Sequence, residues 1–212
     1  MGLIQLFSSD PTFAILAFFA LMISIGFHEF SHVFVAYTLG DLTGKLAGRL
    51  TLNPLRHLDA IGTLMILFIG VGYGKPAPFN PGSLRYRRWG PTLVALGGPI
   101  SNLLFVGVFG VLWRVLQTPL GIDNLLIQFL EVAIFFNAAL AVFNLLPVPP
   151  LDGSHLIASI FGEAHPLTQF LRRFGWQVLL ALVVFDLFVG VGILGRYLRW
   201  GIGVILTAFG LN

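Results

Sequence analysis

The 212-residue chain contains no cysteine. Disulfides are therefore excluded, and any metal ion must be held by His, Asp or Glu. Charge is also scarce: 10% of residues are Asp, Glu, Lys or Arg, against about 25% in an ordinary soluble domain. The first ten residues hold no Lys or Arg, so the basic start of a cleavable signal peptide is not expected. No repeat or low-complexity segment is visible. Hydrophobic residues, by contrast, make up 57% of the chain. A water-soluble fold of this length cannot hide that much apolar surface, so lipid must solvate much of it. The net charge of +3 does not point to nucleic acid, because the basic residues fall in short clusters between apolar runs, as topology signals do.

Pro11 to Leu39 is almost wholly apolar and would reach roughly 43 Å as a helix, enough to cross a bilayer core of roughly 30 Å. A polar stretch with Lys45, Arg49 and Arg56 follows, and then a shorter apolar run from Ala60 to Tyr73. A helix over that run would be only about 21 Å long, which favours a re-entrant or partly inserted element. After Lys75, Arg85, Arg87 and Arg88 come three further expected spans, Pro91–Leu116, Leu125–Leu146 and Trp176–Leu194. The apolar tail from Arg196 to Asn212 reads as an interfacial helix or partial crossing. These runs predict an all-α integral membrane protein with about four to six transmembrane helices. One domain is expected over 1–212, with a catalytic core at about 11–160 and membrane segments at about 174–212. If the short run does not cross, both basic clusters share one side, and the positive-inside rule makes that side the cytoplasm.

The distinctive chemistry lies in the first span, where His28-Glu29-Phe30-Ser31-His32 spells HEFSH. Histidines four apart share one helix face and can bind one metal ion together. Glu29, one position on, can reach a metal-bound water without being a ligand. The competing reading is a helix with polar residues packed inside a bundle. Three ionisable groups within about one turn at membrane depth favour a functional site. A catalytic zinc has three protein ligands and an open position, so one ligand is missing. His57, His155, His165, Glu131, Glu163 and the aspartates are the candidates. Asp152 stands out because it follows the helix-breaking run Pro147-Val148-Pro149-Pro150 and precedes Gly153, a sequence able to turn a carboxylate back into the bundle. An ordinary cap of a helix over 153–160 accounts for Asp152 equally well.

HEFSH on one membrane helix and NLLPVPPLDG on another resemble the site-2 protease family of intramembrane zinc metalloproteases. The resemblance covers about residues 20–160. It extends to GRLTLNPLRHLDAIGT, GKPAPFNP and Gly97-Gly98-Pro99-Ile100-Ser101-Asn102, as in the compact bacterial and archaeal branch without a PDZ domain. Ala60 departs from the proline of many such relatives and touches only a loop turn. The resemblance implies one Zn2+ held by His28, His32 and Asp152, with Glu29 as catalytic base. It also implies that Asn144 and Asn102 serve the substrate backbone or lie close to the site. The implied activity is hydrolysis of a peptide bond in or near a substrate's transmembrane segment, in a prokaryotic plasma membrane, with the active site nearer the cytoplasm.

Other features have more than one reading. Lys75-Pro-Ala-Pro-Phe-Asn-Pro81 is either an extended edge that pairs with an unwound substrate or a proline-stiffened loop. His57 and Asp59 form either a pair that supports the metal ligands or admits the metal, or ordinary interfacial residues. Asp186 could pair with an arginine or face a cavity. Trp89, Trp176 and Trp200 suit interfacial anchoring. A metal-handling or transport protein is the alternative function, but it would need polar positions along a pathway, and the chain shows one compact cluster.

Overall fold

The computed structural model describes residues 7–69, 72–189 and 192–211. The first span is helix α1, Pro11–Thr38. The Asp10 carboxylate starts it by accepting the Phe13 N–H at 2.9 Å, and Pro11 sits where no helical amide bond is needed. A single turn, Thr43–Leu46, leads into the polar loop. Helix α2, Ala60–Ile69, begins where Asp59 accepts the N–H groups of Ile61 and Gly62 at 3.0 and 2.9 Å. At ten residues it reaches about 15 Å, too short to cross. Part of the expected run, residues 70 and 71, lies outside the described residues.

Helix α3 covers Gly90–Leu120 and ends at Gly121, whose φ of +78° suits glycine. Helix α4, Leu125–Asn144, starts at Asn124, which accepts the Leu126 N–H. The prolines of 147–150 break the chain there, and α5, Ser154–Phe161, follows. Helix α6 runs from Pro166 to Val189 and α7 from Ile193 to Ala208. The described helices α1, α3 and α4 are long and apolar enough to cross a membrane.

The expected Trp176–Leu194 span differs in place and character, and residues 190 and 191 of it lie outside the described residues. Its helix starts ten residues earlier, at Pro166, because proline is favourable in a first turn and hydropathy marks only the apolar part of a helix. Arg172, Arg173 and Asp186 interrupt its apolar character. The Asp186 carboxylate accepts the N–H groups of Ile193, Leu194 and Gly195 at 2.6, 2.8 and 3.1 Å. It caps α7 from the neighbouring helix, satisfying donors that a helix start leaves open.

Helices α1, α3 and α4 pack pairwise into the core, and α7 leans on α4. Ala17 and Ala20 of α1, Ile66 of α2 and Ala133 of α4 meet in one buried cluster, so the short α2 is seated against two spans. Small residues permit the close approach of α1 to α3. A Cβ on Gly97 would lie 3.0 Å from the Ser31 carbonyl oxygen.

The segment Lys75–Asn80 has no regular structure, is pinned at both ends and leads into a single 3-10 turn over Pro81–Ser83. The Lys75 N–H donates to His57 O at 2.7 Å, and Arg49 donates to Lys75 O at 2.6 Å. Asp41 accepts the Asn80 N–H at 2.7 Å. Burial alone would raise the Asp41 carboxyl, but its bonds from Thr43 and Asn80 outweigh this and hold its pKa below the usual aspartate value.

His57 is wholly buried and its Nε2 lies 2.8 Å from Thr51 O. It staples the loop, and Asp59 is occupied by the α2 start. Burial pushes the His57 pKa down; the Thr51 hydrogen bond works against this and Arg49 adds to it. The unfolded chain, with an ordinary value near 6.5, then binds more protons than the folded loop at mildly acidic pH. Stability contributed above about pH 6.5 is therefore lost progressively as pH falls below it. Amide protection across 47–59 is expected to drop on acidification, after correction for intrinsic exchange rates. Unchanged protection would contradict this account.

Candidate metal centre

His28 and His32 lie one turn apart on α1, and both are buried. Their rings are 4.6 Å apart and nearly perpendicular, at 88°. The His28 Nδ1 lies 2.6 Å from Asn102 Oδ1, and the His32 Nδ1 lies 2.8 Å from Val94 O. A carbonyl oxygen can only accept, so each Nδ1 carries the proton, and Nε2 of the neutral ring is left with its lone pair.

Asp152 reaches the same point from the other side of the bundle. Its Oδ2 lies 3.1 Å from His28 Nε2 and 3.4 Å from His32 Nε2. The turn that carries it is built from the broken end of α4. The Gly153 N–H donates to Asn144 O at 2.7 Å, and a Cβ on Gly153 would come within 2.3 Å of Leu145 O, so only glycine fits. The helix that follows is tied to the start of α3. Thr92 Oγ1 donates to His155 O at 2.8 Å, and Arg88 Nε to Ser159 O at 2.9 Å. No side chain caps α5, so the ordinary-cap reading of Asp152 is not what the fold contains.

These three residues fit a metal ion. Asp152 Oδ2 is buried and accepts no hydrogen bond despite the two nearby imidazoles. The donor atoms of all three lie within 4.8 Å of one another. Converging lone pairs with no proton between them repel unless a cation holds them. Two imidazoles and a carboxylate form the N/O donor set of a catalytic zinc with an open position. Gly98 closes one wall: a Cβ there would lie 2.5 Å from both His28 Cε1 and His32 Nε2.

None of the other candidate ligands joins this group among the described residues. Glu131 accepts from Trp113 Nε1, Glu163 pairs with Arg172, and His165 Nδ1 accepts the Leu167 N–H. Glu29 is half-buried, within electrostatic reach of His32, His28, Asp152 and Arg49. Gly74 packs on its stem, where a Cβ would lie 3.1 Å from Glu29 Cγ.

The two asparagines differ. Asn144 is half-buried at the end of α4, its Nδ2 donating to Leu140 O at 3.0 Å, beside the Asp152 turn. Asn102 is fully buried and lies against the metal centre. Its Oδ1 faces His28, while its Nδ2 donates to Asn137 Oδ1 at 2.8 Å and lies 3.5 Å from Ser24 O. Both hydrogens of its amide are thus engaged within the protein, and its oxygen contacts His28. Asn137 and Ser24, both buried, escaped sequence reasoning. The available signal was a lone polar side chain inside an apolar span, which must find a partner there.

Two imidazoles and a carboxylate gathered by membrane-crossing helices define a membrane metallohydrolase. The model of "Peptidase family M50" matches residues 114–185, a segment that includes Asn144 and Asp152. "Putative zinc metalloprotease YwhC" of Bacillus subtilis is 40% identical over 190 residues, spanning 85% of this chain and 82% of that protein. "Putative zinc metalloprotease Rip2" of Mycobacterium tuberculosis is 30% identical over 183 residues, 80% of this chain and 68% of its own. "Putative zinc metalloprotease MJ0611" of Methanocaldococcus jannaschii is 28% identical over 153 residues, 70% of this chain and 74% of its own. No solved structure matches. The chain belongs to peptidase family M50, the membrane zinc metallopeptidases of the site-2 protease type.

Proposed function

We propose that this membrane zinc metalloendopeptidase cleaves a peptide bond within or beside a transmembrane segment of another protein. The observation that carries the proposal is the convergence of His28 Nε2, His32 Nε2 and Asp152 Oδ2 on helices built to cross a membrane. These residues would hold the zinc. When bound, zinc supplies Lewis acidity toward water and toward the scissile carbonyl. Glu29 takes the proton of the attacking water and passes it to the leaving amine, a general base and then a general acid. His28 and His32 are kept with a proton on Nδ1, away from the reacting atoms.

A carbonyl in a helix is hydrogen-bonded and shielded, so the substrate must unwind before attack. Backbone that leaves its helix inside the bilayer needs new partners. Asn144, at the edge of the Asp152 turn, is the side chain proposed to receive it. The Lys75–Pro81 segment supplies a second surface. The N–H groups of Ala77 and Phe79 have no hydrogen-bond partner among the described residues, and alternate residues of an extended chain face one side. The basic loops carrying Lys45 to Arg56 and Lys75 to Arg88 are assigned to the cytoplasm by the positive-inside rule. A cysteine introduced at Lys45 should react with an impermeant thiol reagent only after the cytoplasmic face is opened; labelling in intact cells would reverse the orientation.

The full chain, reconstituted with zinc in vesicles, should cut a single-span reporter carrying a helix-breaking residue in its span. Mass spectrometry should place the cut within or beside the membrane segment. Chelation should stop it and zinc restore it. A cut confined to soluble loops, or cleavage insensitive to chelation, would defeat the proposal.

A further inference from the structure

Behind the metal centre, four buried polar side chains link α1, α3 and α4. Ser24 Oγ donates to Ala20 O at 2.7 Å, and Asn137 Nδ2 lies 2.8 Å from both Ser24 Oγ and Ala133 O. Asn137 Oδ1 meets Asn102 Nδ2 at 2.8 Å, and Asn102 Oδ1 meets His28 Nδ1 at 2.6 Å. Each of Ser24, Asn102 and Asn137 is at most 1% exposed.

The direction of every bond in this chain follows from fixed carbonyls. Ala133 O can only accept, so the Asn137 atom facing it must be the amide nitrogen. The same nitrogen faces Ser24 Oγ, whose proton is engaged by Ala20 O. Both N–H bonds of Asn137 are then used, and its oxygen must face Asn102. The Asn102 atom that meets this oxygen, and also faces Ser24 O, must again be the amide nitrogen. Its oxygen is thereby turned to His28, and only a protonated Nδ1 satisfies it. Reversing any one amide would set two acceptors face to face in a buried, apolar surrounding, where unmatched polar atoms are costly.

We infer that Asn137 is a positioning residue: acting through Asn102, it fixes His28 in the Nδ1–H tautomer and so keeps Nε2 free for the metal. His32 is held separately, by the backbone oxygen of Val94, and does not depend on this chain. The inference rests on the reading of His28 as a zinc ligand, but the tautomer itself is measurable without metal. Outer partners that orient a ligating histidine characteristically alter metal affinity by about 10–100-fold when removed.

The test uses the full-length protein labelled with 15N-histidine, metal-free and at alkaline pH, with each imidazole assigned by single substitution. In wild type both His28 and His32 should be Nδ1–H tautomers. In Asn137→Leu, His28 should populate the Nε2–H form while His32 stays unchanged, and the zinc dissociation constant should rise about tenfold. Ser24→Ala, a milder change that loosens Asn137, should shift His28 in the same sense by less. If Asn137→Leu does not fold, Ser24→Ala decides the matter. An unchanged His28 tautomer overturns the inference, and so does a common shift of His28 and His32, which marks general loosening. Zinc binding that survives His28→Ala would instead overturn the ligand reading, and the tautomer result would still decide the relay.

Discussion

Glu29→Gln is expected to leave zinc bound and to remove cleavage. Glutamine has the size and shape of glutamate but cannot take a proton from water at neutral pH. The residue contributes no ligand atom to the converging group of His28, His32 and Asp152, so metal content should stay near one ion per chain. A general base contributes about 10²–10⁴ in rate, or roughly 3–5 kcal/mol of barrier, and the loss should appear in kcat rather than in substrate binding. Zinc analysis beside single-turnover cleavage of a membrane-spanning reporter measures both quantities. Cleavage at the wild-type rate would remove Glu29 from the mechanism. Loss of zinc together with activity would make it a structural support of the centre.

The second large effect is expected at Gly98→Ala. One added methyl would sit 2.5 Å from His28 Cε1 and His32 Nε2, well inside van der Waals contact. Rotation of either imidazole would break its Nδ1 bond to Asn102 or Val94. Separation of the helices would open the contact where Gly97 meets Ser31. Overpacking of this kind typically costs about 1–3 kcal/mol, and here the strain falls on the ligands. Zinc affinity should fall by at least about tenfold, the scale of losing an orienting partner, with the helical content retained. Gly203→Ala on α7 is the matched control, because nothing lies within 4 Å of a Cβ placed there. Equal zinc affinity in the two variants would show that Gly98 is not a wall of the site.

Both effects trace to how much of the centre is local. HEFSH was legible because a spacing of four on a helix is local geometry, and apolar runs longer than a bilayer core announce their own environment. Asp152 was partly legible: the prolines and Gly153 marked a turn, but its direction depended on the bond from Gly153 N–H to Asn144 O and on ties to α3. The start of α6 was missed because hydropathy reports where lipid is met and carries little information on where a backbone begins to coil. Asn102 was found without its contact to His28, since its sequence position does not reveal which way its amide faces.

The sequence by itself determined a membrane-embedded hydrolase site with two histidines and a carboxylate on one helix turn. Those properties depend on side-chain chemistry and on the 3.6-residue period alone. Only the tertiary structure decided that Asp152 meets the two Nε2 atoms, and that Ser24 and Asn137, 113 residues apart, close one hydrogen-bonded chain behind His28. Inside a bilayer a polar group must find its partner within the protein. Which partner it finds is settled by the packing of α1 against α3 and α4, where glycines let the backbones approach.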